Sequence, residues 1–259
     1  MKIRYPAVEG SFYPSNEKEL EEMMSRFDKI VQVEEGVKPK AIIVPHAGLF
    51  YSGLTAAYAY KNAHGHKYRS AVIFAPSHRV AFYGMSGADF DEFQFIGRNF
   101  KVNRELTETL KKKNNLVSID QAHLLEHSAE IQLPFIKKYL DVESISVFVY
   151  GEIEYDKISY VLEDVVSEGK DLVIISSDLS HYHPYEACKR IDQNIIDGIK
   201  ELDIAKIDKG EACGMAGIKA MVNCAITYKL KPLILDYRNS GDIIKDRSGV
   251  VGYLSAIFV

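Results

Sequence analysis

Six runs of consecutive, mostly apolar residues stand out along the chain: Ala41–Val44, Ala71–Phe74, Ser144–Val149, Leu172–Ser176, Pro232–Tyr237 and Val250–Phe258. They are short, rich in Val and Ile, and lack the polar alternation of a strand with one wet face, so they read as mostly buried strands. Between them, apolar positions fall at helical spacing over Asn16–Ile30, Gly53–Lys61, Arg104–Lys113, Ser128–Tyr139, Tyr155–Val166, Tyr185–Lys200 and Cys213–Tyr228. Asn16 and Ser128 have the short polar side chains that cap a helix N-terminus. Repeated strand-then-helix order predicts an α/β fold, a mostly parallel or mixed central sheet with helices on both faces. Ser86–Val102, with Gly87, Gly97 and alternating aromatics, reads as an antiparallel excursion from that scheme. No Gly/Ser-rich or Pro-rich linker, low-complexity tract or repeat divides the sequence, which predicts one domain over residues 1–259.

Chemically capable residues follow the strand runs directly. Ala41–Val44 leads to His46, Ala71–Phe74 to His78, Ser144–Val149 to Gly151 and Glu152, and Leu172–Ser176 to Asp178, His181 and His183. In an open parallel sheet the loops leaving the carboxyl ends of the strands converge on one crevice, which predicts that these residues meet. Two imidazoles fixed on rigid strand ends suit a metal ion, because little conformational freedom is lost on binding. Cys213 is the best third donor: it stands just before a helical run, and a helix N-terminus favours thiolate over thiol. Cys188 and Cys224 lack that setting. Asp178 and His181 are spaced to form a carboxylate–imidazole pair for proton transfer or for support of a metal ligand. His123 and His127, with Glu126 and Glu130 beside them, resemble a zinc pair on a helix. With Ser128 as the cap they straddle a loop and a helix start, and read as supporting residues instead. His64 and His66 lie in a polar turn and are expected to face solvent.

Charge narrows the partners. The chain carries 32 Lys+Arg against 36 Asp+Glu, a formal charge of −4, with no basic block longer than Lys111–Lys113. Without a basic stripe to displace counterions from phosphates, nucleic acid is not an expected partner. Three cysteines, an odd number, argue against a disulfide framework and for a reducing compartment. The first residues contain no apolar signal region, and no stretch nears the ~20 apolar residues of a membrane helix. A cytoplasmic protein is expected. The dinucleotide, P-loop, serine-hydrolase and thioredoxin motifs are all missing from the sequence, which leaves metal chemistry or ligand binding.

Six ordered motifs, RYPAVEGSFYP, IVPHAGLFYSG, APSH, AHLLEHSAEIQLPF, SSDLSHY and EACG, span residues 4–214. In them the chain resembles the Memo family, called AmmeMemoRadiSam system protein B in microbes. The resemblance implies an α/β fold similar to the catalytic subunit of class III extradiol dioxygenases, which are non-haem iron enzymes. It also implies a site built from His46, His78 and Cys213, with Asp178 and His181 beside it, the same residues reached from the strand ends. It implies iron or copper binding, oxidative chemistry, a link to a radical-SAM protein and, by analogy with animal members, binding of phosphotyrosine peptides. Two features depart from the pattern. The dioxygenases use a carboxylate as third ligand where this chain offers sulfur, which argues against ordinary ring cleavage and shifts preference toward copper(I), zinc or a different iron chemistry. Where the family often has a proline shortly after its Cys-Gly, this chain reads CGMAGIKAM, with Gly217.

Three functions follow. The leading one is a metal-binding protein with redox capability, in which His46, His78 and Cys213 hold iron or copper while Asp178 and His181 handle protons. The second is a non-enzymatic module whose pocket accepts a peptide or a small anionic or aromatic ligand, with Phe12 or Tyr13 as a rim. The third is a metal-assisted hydrolase on zinc, ranked lowest because a thiolate donates charge and weakens Lewis acidity.

Overall fold

Every residue of Ala41–Val44 and of Leu172–Ser176 is buried, which is what the lack of polar alternation requires of strands covered on both faces. In the computed structural model, which describes residues 1–259, these runs lie at the middle of an eleven-stranded sheet. Its strands are β1 (Ile3–Arg4), β2 (Ala41–Val44), β3 (Ser70–Pro76), β4 (Met85–Gly87), β5 (Glu92–Phe93) and β6 (Phe100–Val102). They continue with β7 (Ser144–Tyr150), β8 (Leu172–Ser176), β9 (His181–His183), β10 (Pro232–Asn239) and β11 (Val250–Phe258). The order is β1-β5-β6-β7-β3-β8-β2-β11-β10, with β4 on β7 and β9 on β11. The stretch β6-β7-β3-β8-β2 is parallel throughout, whereas β11 runs antiparallel to both β2 and β10. The excursion expected over Ser86–Val102 is present: β4 pairs antiparallel with β7, and β5 with β6.

The helices are α1 (Glu17–Asp28), α2 (Leu49–Ala63), α3 (Arg104–Asn114), α4 (Asp120–Leu124) and α5 (His127–Glu130). After them come α6 (Leu133–Tyr139), α7 (Tyr155–Glu168), α8 (Tyr185–Glu201), α9 (Ile204–Ile207) and α10 (Met215–Tyr228). Alternate strand residues serve two cores. Ile42, Val44, Ile73 and Ile174 pack with Ala56 and Tyr60 of α2 and Phe135 of α6. Ile43, Val72, Phe74 and Ile175 pack with Val161 of α7, Ile195 of α8 and Ile218 of α10. Helices therefore cover both faces. None of them is long and apolar enough to cross a membrane.

Asn16 caps α1 as expected, its side chain accepting from the backbone N–H groups of Lys18 and Glu19. The expected helix Ser128–Tyr139 is instead two pieces, α5 and α6, with Pro134 in the first turn of the second. Proline has no N–H for the preceding turn and fits best where a helix begins, so the chain restarts there. Ser128 is not the cap of α5. Glu126 is, accepting from the N–H groups of His127 and Ser128.

Candidate metal centre

β3, β8 and β2 are adjacent and parallel, so the segments leaving their carboxyl ends emerge side by side. His78 follows β3, Asp178 follows β8 and His46 follows β2. Cys213 reaches the same point from the other direction, in the loop before α10. That approach needs glycine: a Cβ on Gly214 would lie 2.6 Å from Ser177 Cβ and 2.8 Å from the Ser176 carbonyl oxygen. A Cβ on Gly217 would lie 2.6 Å from the Tyr150 hydroxyl, so this glycine brings α10 down onto the strands where a larger residue would hold it off.

The donor atoms of His46, His78 and Cys213 all lie within 4.8 Å of one another. Cys213 Sγ and His46 Nε2 stand 3.2 Å apart. Donors sharing one ion through bonds of about 2.0–2.3 Å stand roughly 3–3.7 Å from each other, so the set fits a single metal with small ring movements. His46 is buried whereas the His78 side chain is 29% exposed, so the cluster opens toward solvent on the His78 side.

Both imidazoles are held from behind through Nδ1. His46 Nδ1 is 2.8 Å from Ser176 Oγ, and His78 Nδ1 donates to Glu126 Oε1 at 3.0 Å. Such outer partners fix a ring's orientation and leave the far nitrogen to bind a metal. Glu126 is buried, yet it accepts further hydrogen bonds from the backbone N–H groups of His78, His127 and Ser128. Burial pushes its carboxyl up, but hydrogen bonds from the His127 and His78 sides outweigh that and hold it far below the usual carboxylate range. Glu126 is in turn fixed by the N-terminal segment: Arg4 donates from Nη2 to the Glu126 carbonyl and forms a buried ion pair with Glu130. Glu130 also accepts from Ala7 N, Val8 N and the Tyr13 hydroxyl.

The thiolate expected at Cys213 is not what the metal-free surroundings favour. Burial, then the neighbouring Asp178 carboxyl, pushes the thiol far above its usual range. Cys213 precedes the cap residue Gly214, whose N–H donates to Ser177 Oγ at 2.9 Å. Sγ does accept a hydrogen bond from Asp178 N at 3.3 Å. Burial likewise holds His46 well below the usual histidine range. A thiolate–imidazolium nucleophile is therefore disfavoured, while a metal ion could take the place of the thiol proton.

Asp178 and His181 are not joined by a hydrogen bond. Asp178 Oδ1 instead accepts from the backbone N–H groups of His46, at 2.7 Å, and Ala47, at 3.3 Å. The aspartate thus ties the end of β8 to the loop after β2. Burial pushes its carboxyl above the usual range. His181 sits half-buried in β9, paired against Val251 of β11. Tyr13 is no rim residue, because it is 2% exposed and bonded to Glu130. Phe12 does reach the cluster, its ring 5.0 Å from that of His127. Gly151 and Glu152 pair with the Phe82–Gly84 segment through backbone bonds and supply no donor to the cluster. His64 is exposed and bonded to the Tyr139 carbonyl.

His127 is the residue that spacing undervalued. Its ring centroid lies 4.7 Å from that of His78 and 5.5 Å from that of His46, and its Nδ1 stands 3.2 Å from Glu126 Oε1. With His78 and Glu126 it forms a second group of converging donors. The signal was the run Glu126-His127-Ser128, whose meaning depended on α5 starting at His127.

Comparison with known proteins agrees with the motifs. A family model described as "Memo-like protein" matches residues 4–257. A MEMO1 family protein of Aquifex aeolicus is 33% identical over 270 residues, covering 100% of both chains. MEMO1 family proteins of Thermoplasma volcanium and Methanocaldococcus jannaschii are 32% and 34% identical, with 98% and 99% of each chain covered.

Proposed function

This chain belongs to the Memo family, and on that footing we propose that it is a metal-binding protein with redox chemistry at a His-His-Cys centre. The ligands are Nε2 of His46, Nε2 of His78 and Sγ of Cys213, and the metal is iron or copper. The observation that supports this most is the convergence of these three donors from two parallel strand ends and the approach to α10, with both rings fixed through Nδ1. Flexible surface histidines lack that preparation. One soft sulfur beside two imidazoles favours a copper or iron couple over a strong Lewis acid.

A bound iron or copper ion would supply a one-electron couple and an open coordination position. The rest of the chemistry lies with the chain. Glu126 keeps the His78 proton on Nδ1 and turns Nε2 outward. His127, against both ligand rings, is placed to give or take a proton beside the open side. Asp178, its carboxyl raised by burial, is placed next to the sulfur and can hold a proton closer to neutrality than a surface aspartate. Phe12 packs edge-on against His127, its ring centroid 5.0 Å away.

Competition titrations of the metal-free protein against chelators of known affinity test the reading. Tight binding of copper(I) or iron(II), with oxygen consumption by the loaded protein, supports it. Preference for zinc, with hydrolysis and no oxygen consumption, overturns it.

A further inference from the structure

Ser176, the last residue of β8, is fully buried and lies behind His46, away from the donor cluster. Its surroundings fix the direction of every hydrogen bond it makes. The buried Ser128 carbonyl, 2.7 Å away, can only accept, and the other side-chain donor near it, Gln132 Nε2, stands at 3.5 Å, so the single hydroxyl proton of Ser176 goes to this carbonyl. Gln132 Nε2 is 3.0 Å from Ser176 Oγ and 3.1 Å from the Pro45 carbonyl. Because that carbonyl is also only an acceptor, the nitrogen of the Gln132 amide must face this side. The Tyr60 hydroxyl, 2.9 Å from Oε1, then donates to the amide oxygen. Gln132 therefore donates to Ser176. One lone pair of Ser176 remains, directed at His46 Nδ1 at 2.8 Å. It can be filled only by a proton on that nitrogen.

We infer that Ser176 is a positioning residue that sets the tautomer of His46, holding its proton on Nδ1 and presenting a bare Nε2 to Cys213 Sγ and to a metal. Tyr60, Gln132 and the Ser128 carbonyl fix the polarity of that hydroxyl, so the preference is built into the buried frame before any ion arrives. The two ligand histidines are thus prepared differently. A carboxylate backs His78 on the open side, and a neutral hydroxyl with all its bonds satisfied backs His46 on the buried side. The consequence for metal affinity rests on the proposed centre, whereas the tautomer itself does not.

Long-range ¹H–¹⁵N correlation spectra of histidine-labelled, metal-free protein at pH 8 test the assignment. In the unaltered chain His46 is expected to show a protonated Nδ1 and a bare Nε2. Ser176→Ala is expected to populate the Nε2–H form, turned toward the sulfur, and Ser176→Thr to restore the original pattern. Affinity for copper(I) or iron(II) is expected to fall at least about tenfold in Ser176→Ala and to recover in Ser176→Thr. A protonated Nε2 in the unaltered chain overturns the inference without reference to any variant. An unchanged tautomer in folded Ser176→Ala overturns it as well. The expected tautomers with no metal bound by any variant would support the inference and overturn the proposed centre.

Discussion

Glu126 carries more of the site than its place in the sequence suggests. Its carboxylate caps α5 and accepts from the ring and backbone of His78, while its backbone carbonyl accepts from Arg4. Glu126→Gln keeps the shape but replaces an oxygen acceptor by a donor facing N–H groups. We expect metal affinity to drop about 10–100-fold, measured by chelator competition, with the helical circular dichroism retained. Unchanged affinity would show that Glu126 does not govern His78. At this scale the chain was only partly legible. The meeting of His46 and His78 was legible because strand ends converge in a parallel sheet, and Cys213 because it stands just before a helical run. The partners of Glu126, Asp178 and Ser176 lie 48, 132 and 130 positions away along the chain, where local spacing carries no information. The Cys213 thiolate was misjudged because a helix N-terminus was weighed without burial, and burial dominates.

Among the elements, the approach of α10 to the sheet and the clasp of the N-terminal segment decide whether the donors meet. Gly214→Ala would place a methyl group against Ser177 and the Ser176 carbonyl. The expected result is a stability loss of roughly 1–3 kcal/mol in chemical denaturation, with reduced metal loading as the Cys213 loop is pushed outward. Full loading in a stable variant would contradict that. Arg4 and Glu130 are 1% and 0% exposed, and removing one partner leaves a buried charge unpaired. Arg4→Met should therefore cost about 3–5 kcal/mol, and the double variant with Glu130→Leu should recover part of it. A loss under about 1 kcal/mol would mean that the clasp is not an energetic unit. The buried strand runs were easy to read because composition and lack of alternation agree. The division between α5 and α6 was harder, since the apolar spacing continues across Pro134 and only the missing N–H breaks it.

For the whole molecule, acid is the informative perturbation. Burial, then the charge of Arg4, pushes His123 down to about 4. Between that value and the ordinary histidine range near 6.5, the unfolded chain binds a proton that the folded chain refuses. This contribution to stability is thus complete above about pH 6.5 and is lost progressively down to about pH 4, amounting to roughly 3 kcal/mol. Glu126, with its carboxyl held low, loses its own contribution at still lower pH, so both groups act in the same direction. Denaturation midpoints followed from pH 7 to pH 4 should fall, and His123→Gln should flatten the upper part of that fall. A flat profile in the unaltered protein would contradict the assignment.

The sheet, its two helical layers and the Memo kinship make one arrangement whose centre is the meeting of His46, His78 and Cys213. X-ray absorption at the metal edge, with elemental analysis of untagged protein, addresses that centre most directly. We expect iron or copper near one ion per chain, bound by two imidazole nitrogens and one sulfur, and lost in both His46→Ala and Cys213→Ser. Metal content unaffected by either substitution, or a coordination sphere without sulfur, would contradict the account.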